Sequence, residues 1–98
     1  MLDILYTRRA LEDLDAIVKY LTGKGVNPFS TIERLKHSIE ILADQPYIGV
    51  HCHTKGIEKD CRIHFTRTYA IVYRFQPRTN TIVIIDIFHQ SVNYPGKV

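Results

Sequence analysis

Nowhere in this chain do about eighteen apolar residues run together, so the sequence offers no membrane-spanning helix. The opening MLDILYTRRA meets an acid at the third position and two arginines by the ninth. That is unlike a secretory signal, and the cytoplasm is the expected compartment. Cysteine is scarce: Cys52 and Cys61 are the only two. In a reducing compartment they are expected as free thiols rather than a staple. There is no Gly-x-Ser-x-Gly elbow, no phosphate-binding P-loop and no dinucleotide fingerprint, which leaves conventional serine hydrolases, P-loop nucleotidases and nicotinamide enzymes without a sequence basis. Internal repeats, linkers and low-complexity segments are also missing. With 98 residues, 45% of them hydrophobic, one core fills the chain, and residues 1–98 read as a single domain.

The densest collection of reactive side chains is HCHTKGIEKDCRIH, residues 51–64. His51, Cys52, His53, Cys61 and His64 resemble a zinc ligand set in type but not in spacing, since no Cys-x2-Cys or His-x3-His pair occurs. In a strand, Cys61 and His64 lie an odd number of residues apart and point to opposite faces. No metal and no cofactor are therefore expected. Residues 51–60 read as a polar connecting loop.

Around that loop the periodicities are clear. Leu2, Ile4 and Tyr6 alternate as in a short strand. Between Arg8 and Leu21 the stripe Leu11, Leu14, Val18 and Leu21, with Ala10 and Ile17 beside it, predicts an amphipathic helix that ends at TGKG. Asn27 stands as an N-cap and Pro28 as a first helical residue, and Ile32, Leu35, Ile39 and Leu42 predict a second helix stopped by Asp44-Gln45-Pro46. Three strand-like runs follow. CRIHF (61–65) puts Arg62 and His64 on one face, and YAIVYRF (69–75) puts Tyr69, Ile71, Tyr73 and Phe75 on one face with Ala70, Val72 and Arg74 on the other. TIVIIDIF (81–88) is apolar on both faces, as in a central strand, and PRTN (77–80) is the turn before it. The expectation is an α+β domain: an N-terminal strand, then a two-helix hairpin on one face of a curved, mostly antiparallel sheet of about four strands. The other face is expected to be partly open and to collect the polar side chains.

Charge is unevenly spread. Residues 1–50 hold six Lys/Arg against seven Asp/Glu, and residues 51–98 hold seven against three. The basic half suits an anionic partner, nucleic acid or an acidic protein segment, or else a solvated face. Its chemical resources are Arg62, His64, Arg67, Tyr69, Arg74, His89 and Tyr94. Such groups can stabilise phosphate charge and move protons without a metal, and they equally anchor protein interfaces.

Four segments in order, ALEDLDAIVKYL (10–21), LKHSIEILADQPYIG (35–49), CRIHFTRTYAIVYRF (61–75) and TIVIIDIFHQSVNY (81–94), resemble the RelE/ParE superfamily of bacterial type II toxin-antitoxin toxins. The resemblance implies the same fold. It also implies one of two activities: ribosome-dependent cleavage of mRNA in the RelE-like branch, or poisoning of DNA gyrase in the ParE-like branch. On the nuclease reading Arg62, His89 and Tyr94 would be catalytic. The sheet carries few lysines and arginines, and YAIVYRF followed by IFHQSVNY looks more like the ParE branch, although Ser91, Val92 and Asn93 stand where ParE-like chains often have an arginine. The leading expectation is a gyrase-directed toxin with Arg62, His64, Arg67, Arg74, His89 and Tyr94 facing the target. A cognate antitoxin with an acidic, partly disordered segment would cover Leu11, Leu14, Val18, Leu35 and Tyr69. A weakly toxic, antitoxin-binding member is the third alternative.

Overall fold

The computed structural model describes residues 2–52 and 60–91. His53 and Tyr94 lie outside the described residues. The described elements run β1 (Asp3–Tyr6), α1 (Arg8–Gly23), α2 (Phe29–Asp44), β2 (Val50–His51), β3 (Arg62–Phe65), β4 (Tyr69–Gln76) and β5 (Thr81–His89). Among the described residues the sheet has five strands in the order β1-β5-β4-β3-β2. This is one strand more than the periodicity indicates, because Val50 and His51 add a two-residue edge opposite Ile63 and Arg62. The β1–β5 pair is parallel and the other three are antiparallel, so the sheet is mixed.

Local signals account for the ends of the elements. Thr7 caps α1 by accepting from the Ala10 N–H at 3.1 Å, while its hydroxyl reaches the carbonyls of Ile84 and Ile85 at 3.0 and 3.2 Å. Beyond Ile84, where β1 stops pairing, the Asp13 carboxylate accepts from the Ile87 N–H at 2.9 Å. Side chains of α1 thus satisfy part of the edge of β5 that β1 leaves uncovered. At α2 the Asn27 side chain accepts from the Phe29 N–H at 3.0 Å, with Pro28 already in helical conformation, as the Asn-Pro pair predicts. A single 3-10 turn, Pro77–Thr79, closes the β4–β5 hairpin, and Asn80 takes the left-handed conformation (φ 55°) that this residue type tolerates.

The main core lies between the helices and one face of the sheet. Leu35, Ile39 and Leu42 of α2 pack with Ile71, Tyr73, Ile82, Ile84 and Ile87, and Leu2, Ile4 and Tyr6 border them. The buried stripe of α1 is rotated from the predicted one. Ala10, Leu14 and Ile17 face the core, while Leu11 is 54% exposed. At 100° per residue, positions 10, 14, 17 and 21 centre one stripe and positions 11 and 18 fall on its flank, so β5 selects the narrower face.

The opposite face of the sheet is partly open, with Leu5, Phe65 and Arg74 exposed on it. Cys52, Cys61, Ile63, Ala70, Val72 and Phe88 form a second buried cluster there, with Ile85 against it. Within this cluster Cys52 and Cys61 are joined as a disulfide, which corrects the expectation of free thiols. The reason is register. The β2–β3 ladder pairs Val50 with Ile63 and His51 with Arg62, and its next rung, Cys52 N–H to Cys61 carbonyl at 3.0 Å, sets the two Cα atoms 5.4 Å apart, inside the range a disulfide spans.

Candidate functional site

Two features of the strands decide where the polar groups go. Arg62 pairs with Tyr73 and His64 with Ile71, so both side chains share the helix-side face of the sheet rather than the opposite one. In β5 the partner of Val72 is Asp86 and the partner of Tyr73 is Ile84, which leaves Ile85 as the extra residue of a bulge. Simple alternation from Ile82 and Ile84 would send His89 to the opposite face. The bulge restores the phase, so Ile87 and His89 join Ile82 and Ile84 on the helix side. It also buries Asp86 completely, with an Arg9 guanidinium nitrogen 3.5 Å from its carboxylate.

His89 thereby opens onto a cleft of ≈ 460 Å³ between the helices and the β3–β4 turn. Its basic groups are Arg34 and His37 of α2, Arg67 of the turn, and His89, and no Asp or Glu lines it among the described residues. Aromatic walls come from Tyr20 and Tyr69, and Leu21 and Leu35 supply its aliphatic surface. Thr31, Arg34, Leu35 and Ser38 all reach it because steps of three and four residues lie on one helical stripe. The turn is firmly built: the Thr66 hydroxyl and the Tyr69 backbone bond each other in both directions, and the Gln90 N–H donates to the Thr68 carbonyl at 2.9 Å, with the Gln90 amide on the Thr66 carbonyl. The Tyr69 and His89 rings meet edge to face at 5.6 Å. Burial pushes the Tyr69 phenol up, and nearby Tyr20 adds to the effect, so Tyr69 stays protonated at neutral pH. The Ser91 N–H donates to His89 Nδ1 at 3.1 Å, which in the neutral ring makes Nε2 the protonated nitrogen.

Arg62 lies elsewhere. Its guanidinium donates to the Gly49 carbonyl at 2.8 Å and the Tyr47 carbonyl at 3.3 Å, and sits 5.0 Å from the Tyr47 ring centre. Arg62 stands opposite Tyr73 and His89 opposite Tyr69, on the two neighbours of β4. Four residues along the strand and two strand spacings across put their Cα atoms roughly 17 Å apart. Arg74 projects away from the cleft and donates to the Asp60 carbonyl at 3.1 Å. Of the six residues expected to face a target, then, Arg67 and His89 come together. Of the five expected under an antitoxin, Leu11 is exposed, Leu14, Val18 and Tyr69 are half-buried, and Leu35 is only 2% exposed.

A model of the family described as the ParE toxin of type II toxin-antitoxin systems, parDE, matches residues 4–94. The chain belongs to this family. Several solved toxins share the fold of this ParE-family chain. The RelBE2 toxin-antitoxin complex of Mycobacterium tuberculosis is similar at 17% identity over 91% of this chain and 98% of that one, with a TM-score of 0.64. The chromosomal ParDE system of P. aeruginosa gives 18% identity, 91% and 96% coverage and a TM-score of 0.62. The intact E. coli RelBE complex gives 16%, 89% and 94%, and 0.60. No curated protein matches the sequence.

In this ParE-family chain the groups of α2 that line the cleft, Arg34 and His37, carry no motif. The one sequence signal is that Arg34 falls on the stripe 31, 34, 35 and 38, with His37 at its border. His64 makes a separate test of the sheet geometry. Burial lowers its pKa from the ordinary histidine value of about 6.5. Above that value both folded and unfolded chains carry the neutral ring, and below it the unfolded chain binds the proton first, so stability falls as pH drops from about 6.5 toward the folded-state pKa. Urea midpoints measured from pH 7.5 down to 5 should decline less steeply in His64→Asn than in the parent. Parallel declines would show that His64 is as well solvated in the folded chain as in the unfolded one.

Proposed function

We propose that this ParE-family toxin acts in the cytoplasm on DNA gyrase, holding its cleaved-DNA state, and is neutralised by a cognate antitoxin. The observation that carries the choice of gyrase over mRNA is the separation of Arg62 from His89. On the nuclease reading Arg62 would hold the scissile phosphate with His89 or Tyr94 as the proton carrier. Here Arg62 is committed to the carbonyls of Tyr47 and Gly49, roughly 17 Å along the sheet from His89. For the antitoxin, an acidic-apolar segment folding across the helical hairpin would cover Leu11, Leu14, Val18 and Tyr69, and Leu35 would support that surface from beneath. The similar RelBE and ParDE structures are of toxin-antitoxin systems, which supports such a partner.

The test adds purified toxin to gyrase with supercoiled DNA and, in parallel, to programmed ribosomes carrying mRNA. The expected result is gyrase-dependent DNA breaks with intact mRNA. Cleavage of mRNA at the ribosomal A site with gyrase unaffected overturns the reading in favour of a nuclease. No effect in either arm, with antitoxin still bound, overturns it in favour of a weakly toxic, antitoxin-binding member.

A further inference from the structure

We propose that the cleft between α2 and the β3–β4 turn is a binding site for a nucleoside phosphate. Charge gives the first half of the ligand. Arg34 of α2 and Arg67 of the turn both line the cleft, and no carboxylate does among the described residues. Two arginines lining one cleft without a carboxylate suit a phosphate group, whose oxygens accept the paired N–H donors of a guanidinium. The hydroxyls of Thr31, Ser38 and Thr68 add donors that a phosphate or a ribose can use.

The rings give the second half. Tyr20 and Tyr69 border the same space, and Tyr69 is held edge-on against His89 at 5.6 Å, which fixes the orientation of its face. Aromatic faces beside arginines are the usual platform for a nucleobase next to its phosphate. A volume of ≈ 460 Å³ lies within the roughly 300–1,000 Å³ of small-molecule sites, enough for a mononucleotide. The floor is preformed: Leu35 is 2% exposed, and the 66–69 turn is closed by its own hydrogen bonds and by Gln90. An acidic peptide satisfies the arginines but leaves the ring walls without a planar partner, so the nucleotide uses more of what the cleft presents.

The experiment titrates the full chain with AMP, inorganic phosphate, adenosine and a short polyglutamate peptide by calorimetry. AMP should bind more tightly than phosphate or adenosine, with affinity that falls as salt is raised. Arg34→Ala and Arg67→Ala should each weaken AMP by roughly tenfold or more. Tyr20→Ala should weaken AMP while leaving inorganic phosphate unchanged. Arg78→Ala, in the β4–β5 turn away from the cleft, should bind AMP as the parent does. Arg34 and Arg67 are both exposed, and thermal melts of the variants verify that they fold. Absence of AMP binding, unchanged affinity in both arginine variants, or preference for the acidic peptide would each overturn the proposal. The outcome is independent of the gyrase assay, because AMP binding is read on the isolated toxin.

Discussion

Tyr73→Phe is expected to lower folding stability by about 2–4 kcal/mol, a large effect for the loss of one oxygen. Tyr73 is fully buried, and its hydroxyl donates to the Pro46 carbonyl at 2.7 Å and accepts from the Gly49 N–H at 2.9 Å. Segment 46–49 has no sheet partner of its own, so these two bonds, with the Arg62 guanidinium on the Gly49 carbonyl, fasten it to the sheet. Phenylalanine leaves a buried N–H without its acceptor, which costs about 1–3 kcal/mol, and the carbonyl loses its donor as well. Gly49→Ala attacks the same joint from the other side. A Cβ at Gly49 would lie 2.7 Å from the Tyr73 hydroxyl and 2.9 Å from the Ile63 carbonyl, and the latter belongs to a strand that cannot easily yield. Chemical denaturation of both variants measures the loss. A Tyr73→Phe variant within about 0.5 kcal/mol of the parent would show that water replaces the hydroxyl and that the joint is not closed.

Most of this fold could be read from spacing, and what could not was tertiary. Asn27-Pro28 marks the start of α2, the Ile32–Leu42 stripe gives its buried face, and the alternation in 69–75 sorts Tyr69, Ile71, Tyr73 and Phe75 from Ala70 and Val72 correctly. Alternation says which residues share a face but not what covers that face. Arg62 and His64 do share one, and only the pairing with Tyr73 and Ile71 identifies it as the helix side. The bulge at Ile85 is likewise silent in an apolar run where every position is hydrophobic except Asp86. It nonetheless decides which side His89 serves. The parallel pairing of β1 with β5 depends on where the chain returns after two helices, which no local pattern records. The cleft divides the same way: Arg67, Tyr69 and His89 lie in segments whose chemistry is visible in sequence, whereas Arg34 and His37 matter only because α2 crosses above them. The cysteines pair because the β2–β3 register brings their Cα atoms within 5.4 Å, a tertiary fact that the usual redox state of a compartment does not carry.

Opening the Cys52–Cys61 bond is expected to lower stability by roughly 2–3 kcal/mol, the loop-closure entropy of a loop of about ten residues. For a domain of this size each kcal/mol moves the melting temperature by about 4–8 °C, so a fall of about 8–24 °C should be seen. Both cysteines are buried, at 0% and 3% exposure, so reduction requires unfolding in denaturant with a thiol and refolding under reductant. Comparing oxidised and reduced parent isolates the cross-link, since no side-chain atom other than the thiol hydrogens is added. Cys52→Ala with Cys61→Ala then adds the cost of two lost sulfurs in a cluster shared with Ile63, Val72 and Phe88, and should fall below the reduced parent. The cleft is lined from the other face of the sheet, so the cross-linked and reduced forms should bind AMP alike at temperatures where both are folded. Equal melting temperatures for the oxidised and reduced parent, with alkylation verifying the thiols, would mean that closing this loop takes little entropy from the unfolded chain and that the bond adds nothing.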